Sequence, residues 1–215
     1  MNEQELEIIS AETRKEKIKN FLINKKKIII SGGIFILSML FGLLFFQDYK
    51  KGQKELLATK YNEAIIEYES GDQSKILNSM NNIINDKETT YSPLAFFYLL
   101  DNNLITSKDE INEYFDILIY EIGLDNENKN LIIFKKGLFN SEFAEENEML
   151  NILNPIIKSE SIWKPHALYL MAEYYFAKKE KKKSKEFLEK LVSLEDANQK
   201  IKLEARKRLR SDFSE

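Results

Sequence analysis

Residues 165–191 read PHALYLMAEYYFAKKEKKKSKEFLEKL and contain the clearest structural pattern of this chain. Apolar residues recur at helical spacing on both sides of the basic run Lys178–Lys183, as they do along the buried face of a helix. In the second half, Ser184, Leu188 and Leu191 fall on one stripe. The pattern predicts two helices joined by a solvated, lysine-rich turn.

The stripe of the second helix recurs in three upstream segments, at the spacing i, i+4, i+7 and i+8. The four stripes are Ile76-Met80-Ile83-Ile84, Ile111-Phe115-Leu118-Ile119, Met149-Leu153-Ile156-Ile157 and Ser184-Leu188-Leu191-Val192. Their first residues lie about 35, 38 and 35 positions apart, close to the period of about 34 residues of a helix-turn-helix repeat. We therefore expect four repeated units, with the extra residues of the middle interval in a loop near residues 123–126.

A second helix is predicted before each stripe. Twelve positions upstream stand four mostly small residues, and three positions before those stand four aromatic ones: Ala64, Leu99, Gly137 and Ala172, and Tyr61, Phe96, Phe134 and Tyr169. A small residue lets two antiparallel helices approach closely, and an aromatic ring one turn away fills the adjacent space. Each unit is therefore predicted to be a helical hairpin.

Turn and start signals agree with this division. We expect the first hairpin to turn at Ser70-Gly71-Asp72, and further helices to begin at Ser92-Pro93, with Ser92 as the N-cap, and at Lys164-Pro165. Only 7 Gly and 3 Pro occur in 215 residues. The chain beyond residue 50 is predicted to be all-α, with a final cap helix over residues 197–209.

The last hairpin resembles the tetratricopeptide repeat family in the spacing of its large, small and aromatic positions, which are Leu168, Ala172, Tyr175, Ser184, Leu188 and Leu191. The resemblance is clearest over residues 164–194. The other units depart from it, because Leu99 replaces a small residue and Lys136 and Asn140 stand at positions that are usually apolar.

The resemblance implies a concave groove lined by the first helix of each hairpin. The positions that it carries to this sequence are Tyr61, Ile65, Tyr68, Phe96, Leu100, Phe134, Leu138, Tyr169 and Phe176. A groove of this kind suits an extended or helical peptide, because aromatic side chains offer a large contact area. The alternative is that these side chains belong to the core.

An apolar run from Ile28 to Phe46 precedes the repeats. Its roughly 19 residues are about enough to cross a hydrocarbon core of about 30 Å as a helix. The run ends in the bulky residues Leu44-Phe45-Phe46, unlike the small-residue cleavage site of a signal peptide. We interpret it as an uncleaved anchor; the alternative is a buried helix of a soluble core.

The charges beside this run predict its orientation. The N-terminal flank carries Arg14, Lys15, Lys17, Lys19, Lys25, Lys26 and Lys27, and the other flank carries Lys50, Lys51, Lys54 and Lys60. The positive-inside rule then places the N-terminus in the cytoplasm. We expect a charged cytoplasmic segment over residues 1–27, an anchor over 28–46, a linker over 47–55 and a repeat domain over 56–215, which lies in the periplasm if the host has two membranes.

This layout resembles the membrane-anchored ancillary subunits of the bacterial Sec translocon, a family whose repeat domain is shared with a cell-division coordinator. The resemblance implies an inner-membrane scaffold whose partners are translocon subunits and membrane-anchored periplasmic chaperones. Two alternatives are an envelope coordinator for cell-wall or division machinery, and a structural protein that only forms homo-oligomers.

Catalytic motifs are not evident in the sequence. The chain has no Cys, a single His at position 166 and no glycine-rich phosphate loop, which argues against thiolate metal sites, His-based triads and nucleotide binding. The net charge of -3, without a basic aromatic stripe, argues against nucleic-acid binding. We expect a non-enzymatic protein without cofactors or a small-molecule substrate.

Overall fold

The computed structural model describes residues 23–69 and 73–213, together with Lys15, Glu16, Lys19 and Phe21. All regular elements in these residues are helical, which confirms the all-α prediction. The helices are α1 (Lys26–Glu69), α2 (Gln73–Asn85), α3 (Tyr91–Asp101), α4 (Lys108–Asp116), α5 (Asn126–Asn140), α6 (Glu146–Ile157), α7 (Lys164–Ala177), α8 (Lys181–Ser193) and α9 (Gln199–Phe213). The expected turn at residues 70–72 and most of the expected cytoplasmic segment lie outside the described residues.

Helix α1 contains the apolar run. None of the described side chains between Ile28 and Phe46 is buried, and α1 is the one helix in the described chain that is long and apolar enough to cross a membrane. Residues 47–55, which were predicted to be a linker, are also helical. The chain divides into two units, Met1–Leu56 and Leu57–Glu215.

The second unit consists of the repeated helices. The predicted stripes lie on α2, on α4 and the turn that follows it, on α6 and on α8, and they are buried, except that Ile157 and Val192 are half-buried. The predicted small positions are buried as well: Ala64, Leu99, Gly137 and Ala172. One large core extends from Leu57 to Tyr175, and a smaller one lies beneath α9.

The extra residues of the middle repeat lie mainly in the first turn of α5. Gly137 follows the first residue of α5 by 11 positions, whereas Leu99 and Ala172 follow the first residues of α3 and α7 by eight. Helix α4 continues into a π-helical turn, Ile117–Glu121, and residues 122–125 then link it to α5. A π turn accommodates an additional residue without ending the helix. Asp125 caps α5 by accepting hydrogen bonds from the amides of Glu127 and Asn128. A loop is thus present near residues 123–126 as predicted, but the added residues lie downstream of it, at the start of α5.

Of the two proline-marked helix starts, one is confirmed and one is shifted. Helix α7 begins at Lys164 with Pro165 in its first turn. Helix α3 begins at Tyr91, so Ser92 lies inside it and is not its N-cap. The buried Ser92 hydroxyl instead donates a hydrogen bond to the Ile83 carbonyl at 2.8 Å, while the Glu88 carboxylate accepts from the amide of Tyr91.

The predicted cap helix is present as α9, which extends to Phe213. Arg208 donates two hydrogen bonds to the carboxylate of Glu173 on α7, at 2.9 and 2.8 Å. The ring of Phe213 packs edge-on against Phe176 of α7 at a centroid distance of 6.0 Å. These contacts hold the last helix on the last hairpin.

Candidate functional site

The N-terminal positions of the predicted groove lie in aromatic packing. The rings of Tyr61 and Tyr68 both contact Tyr98 edge-on, at centroid distances of 6.2 Å, and both are half-buried. Ile65 and Leu100 are also half-buried against the large core.

Phe96 is fully buried, with its ring 4.8 Å from that of Phe115. Phe96 is therefore a core residue and not a groove residue, because α4 covers it.

The central groove positions have different environments. Phe134 stacks on Trp163 at a centroid distance of 5.7 Å and contacts the ring of His166. Leu138 is 53% exposed. The two side chains lie one turn apart on α5, and Leu138 is the only one of the nine predicted positions that is classed as exposed.

The C-terminal groove positions are covered by the chain itself. Besides Phe213, the guanidinium of Arg208 lies over the Phe176 ring at 4.7 Å, and Tyr169 packs into the small core beneath α9. The described structure thus places most of the nine predicted side chains in helix contacts, and does not bring them together as one exposed surface.

A different concavity lies on the second helices of the two middle hairpins. We call it the acidic cleft; its volume is about 730 Å³. It is lined by Asp109, Asn112, Glu113 and Asp116 of α4, Ile119 and Tyr120 of the π turn, Ile133 and Lys136 of α5, and Glu148, Asn151, Ile152 and Pro155 of α6. Each wall is one face of a helix, with residues spaced at i, i+3 or i+4, and i+7.

The rim of the acidic cleft is negatively charged. Its single basic residue, Lys136, donates to the carboxylate of Asp116 at 2.7 Å. The ion pairs of the described residues leave Asp109, Glu113 and Glu148 without a basic partner. The cleft therefore carries about three uncompensated negative charges.

These carboxylates are dispersed along the rim. Among the described residues, no group of three or more His, Asp and Glu is close enough to hold a metal ion. A divalent cation needs several oxygen ligands at one point. The rim carboxylates can instead accept hydrogen bonds separately, each from a different donor group of a bound molecule.

Lys136 and Asn140, the two polar departures from the repeat pattern, form hydrogen bonds with residues that line the cleft. Asn140 is fully buried, and its side chain exchanges two amide hydrogen bonds with Asn112, at 2.8 and 3.1 Å. Asn140 also donates to the carbonyl of Lys136, whose ammonium group binds Asp116. Polar pairing across α4 and α5 thus replaces the apolar contact expected at these positions, because a buried amide must be hydrogen-bonded.

The acidic cleft was not predicted from the sequence. Its signal was present in α4, where Asp109, Glu113 and Asp116 are spaced for one helix face. The opposite wall, with Glu148 on α6, is about 32 to 39 residues away along the chain. Only the packing of the repeats brings the two walls together.

The single histidine lies in an aromatic cluster. His166 is half-buried, with its ring 5.3 Å from that of Trp163. A second cleft of about 710 Å³ adjoins this cluster between the segments 160–166 and 194–198. Ser161 also lines this cleft, and its hydroxyl donates to the carboxylate of Glu127 at 2.8 Å. The Nδ1 atom of His166 is buried and has no hydrogen-bond partner among the described residues.

Comparisons with known proteins give no similarity that bears on the function of this chain. No protein-family model matches it. No curated protein and no solved structure is significantly similar to it.

Proposed function

We propose that this protein is a membrane-anchored, non-enzymatic interaction scaffold of the bacterial inner membrane, acting beside the Sec translocon and the periplasmic chaperones. In this proposal α1 is a single-pass anchor, the N-terminus is cytoplasmic, and the repeated hairpins form a periplasmic domain that holds polypeptide partners.

One observation carries the anchoring part of the proposal. The apolar side chains between Ile28 and Phe46 are exposed wherever the structure describes them. Such a continuous exposed apolar surface is unfavourable in water and is stable in a bilayer. The orientation rests on the excess of Lys and Arg on the N-terminal flank.

The scaffold part of the proposal rests on the second unit. Stacked helical hairpins present extended surfaces that bind polypeptides. The exposed Leu138, the exposed Tyr120 and the charged rim of the acidic cleft offer contacts of that kind. The identity of the translocon as the partner rests on the resemblance in layout.

The test is photo-crosslinking in intact host cells, with a photoreactive amino acid in place of Leu138 or, separately, Tyr120. Leu203 on α9, which is similarly exposed, serves as the matched control position. Capture of channel subunits, membrane-anchored chaperones or unfolded secretory chains from the first two positions supports the proposal. Capture of division or cell-wall proteins, or of this chain alone, overturns the translocon assignment.

A further inference from the structure

We propose that the acidic cleft binds a basic, amphipathic segment of a partner polypeptide. The lysine or arginine side chains of that segment contact the carboxylates of the rim, and its apolar side chains contact the isoleucine floor. This inference rests on the proposed function, because it names the chemistry of the polypeptide that the scaffold holds.

The charge of the cleft selects a cationic occupant. Asp109, Glu113 and Glu148 have no basic partner among the described residues, and Asp116 is paired with Lys136. Carboxylates that face one concavity repel one another, and an occupant with complementary charge relieves this repulsion. The carboxylates are too far apart to coordinate one metal ion together. Several cationic side chains can contact them separately, so a basic peptide fits the rim better than a metal ion does.

The floor of the cleft selects an occupant that is also apolar. Ile119 and Ile133 are buried beneath the rim, and Ile152 is half-buried beside them. Tyr120 is 73% exposed at the edge, and an exposed aromatic ring provides the contact area that binding hot spots use.

Helix α6 contains a proline at the same wall. Pro155 lies inside α6 and has no amide hydrogen, so the carbonyl of Asn151 lacks its usual helical donor. Both residues line the cleft. A lysine or arginine side chain supplies donors for such a carbonyl, whereas an acidic or purely apolar segment does not.

The π turn positions two of these residues. Tyr120 and Ile119 both belong to the turn Ile117–Glu121. π-Helical turns are rare and occur frequently at functional sites. In this chain the turn places Ile119 at the floor of the cleft and Tyr120 at its edge.

The test uses the full chain in neutral detergent and a fluorescent amphipathic peptide of leucine and lysine, with binding measured by anisotropy. We expect saturable binding that weakens as salt is added. The triple variant Asp109→Asn, Glu113→Gln, Glu148→Gln should lower the affinity about tenfold. The variant Tyr120→Ala should also lower the affinity, without changing the salt dependence.

Two matched controls make the result specific. The triple variant Glu186→Gln, Glu189→Gln, Glu195→Gln removes the same charge at exposed positions outside the cleft and should leave the affinity unchanged. A peptide with glutamate in place of lysine should not bind. Equal loss of affinity in both triple variants, binding of the glutamate peptide, or absence of lysine-peptide binding would each overturn the proposal.

Sedimentation of the same variants measures their oligomeric state. It tests whether the cleft binds a second copy of this chain and not a basic partner segment. If the cleft variant dissociates an oligomer and the peptide does not bind, the cleft is a self-association surface and the proposal is wrong. Failure of peptide binding with translocon crosslinks retained overturns only this inference. Peptide binding without translocon crosslinks overturns only the proposed function.

Discussion

At the scale of single residues, Gly137 shows how tightly two helices of a hairpin pack. A Cβ atom added at Gly137 would lie 2.6 Å from Cδ2 and 3.0 Å from Cγ of Leu153 on α6. Leu153 is fully buried, so its side chain has little room to move. The glycine is therefore required by the close approach of α5 and α6, as its place in the repeat predicts.

We expect Gly137→Ala to destabilise the protein by about 1–2 kcal/mol. Overpacking a core costs about 1–3 kcal/mol, and the better helix propensity of alanine offsets up to about 1 kcal/mol of this. The measurement is urea denaturation of the full chain in detergent. Gly52→Ala is the matched control, because a Cβ there meets nothing within 4 Å and Gly52 also lies within a helix; it should be neutral or stabilising. A stabilised Gly137→Ala variant would contradict the close contact.

At the scale of helices, three elements meet at one ionic and aromatic cluster. The Glu146 carboxylate of α6 accepts hydrogen bonds from the Lys183 ammonium of α8, at 2.7 Å, and from the Tyr175 hydroxyl of α7, at 2.9 Å. The Lys183 hydrogen bond holds the pKa of Glu146 below its ordinary value of 4.5. Burial, followed by the bond to Glu146, raises the pKa of Tyr175, and the bonds to Glu146 and Glu180 raise the pKa of Lys183.

These shifts predict how the stability depends on pH. Because the pKa of Glu146 is lowered by folding, its contribution to the free energy of unfolding is present above pH 4.5 and is lost as the pH falls through the folded-state pKa. Because the pKa of Lys183 is raised, its contribution is present below pH 10.5 and is lost as the pH rises through its folded-state pKa. We expect Glu146→Gln to be less stable than the unchanged chain at pH 7, and the difference to shrink in acid below pH 4.5.

Urea titrations of both proteins across that pH range measure this difference. Glu189→Gln on α8 is the matched control, since Glu189 is exposed and shows no ion pair among the described residues. It should be unchanged in stability at every pH. A stability difference for Glu146→Gln that stays constant below pH 4.5 would show that its carboxylate acts through shape and not through charge.

At the scale of the whole molecule, the absence of cysteine offers a direct test of the proposed orientation. The natural chain has no Cys, so a single introduced thiol is the only one that a maleimide can label. Ser193 and Lys19 are both exposed positions, on opposite sides of the apolar run. We expect Ser193→Cys to react with a membrane-impermeant maleimide from outside the inner membrane, and Lys19→Cys to react only after permeabilisation. The reverse pattern would place the hairpins in the cytoplasm.

The sequence by itself determined the all-α class, the order of the hairpins and the apolar stripes that their second helices bury. This was possible because helical periodicity is local: Ile76, Met80 and Ile83 share one face of α2 whatever lies against it. The small positions Gly137 and Ala172 were also predictable, since close helix approach needs a missing side chain. The apolar run could be recognised as a candidate membrane-spanning helix from its length and composition alone.

Only the tertiary structure decided which side chains remained accessible. Phe96 is buried because α4 covers it, and Phe176 is covered by Arg208 and Phe213 of α9. The acidic cleft is lined by α4, α5 and α6. The amide pair of Asn112 and Asn140, which are 28 residues apart in the chain, joins two of these helices. Such contacts depend on packing distances between helices, which the spacing within each helix does not specify.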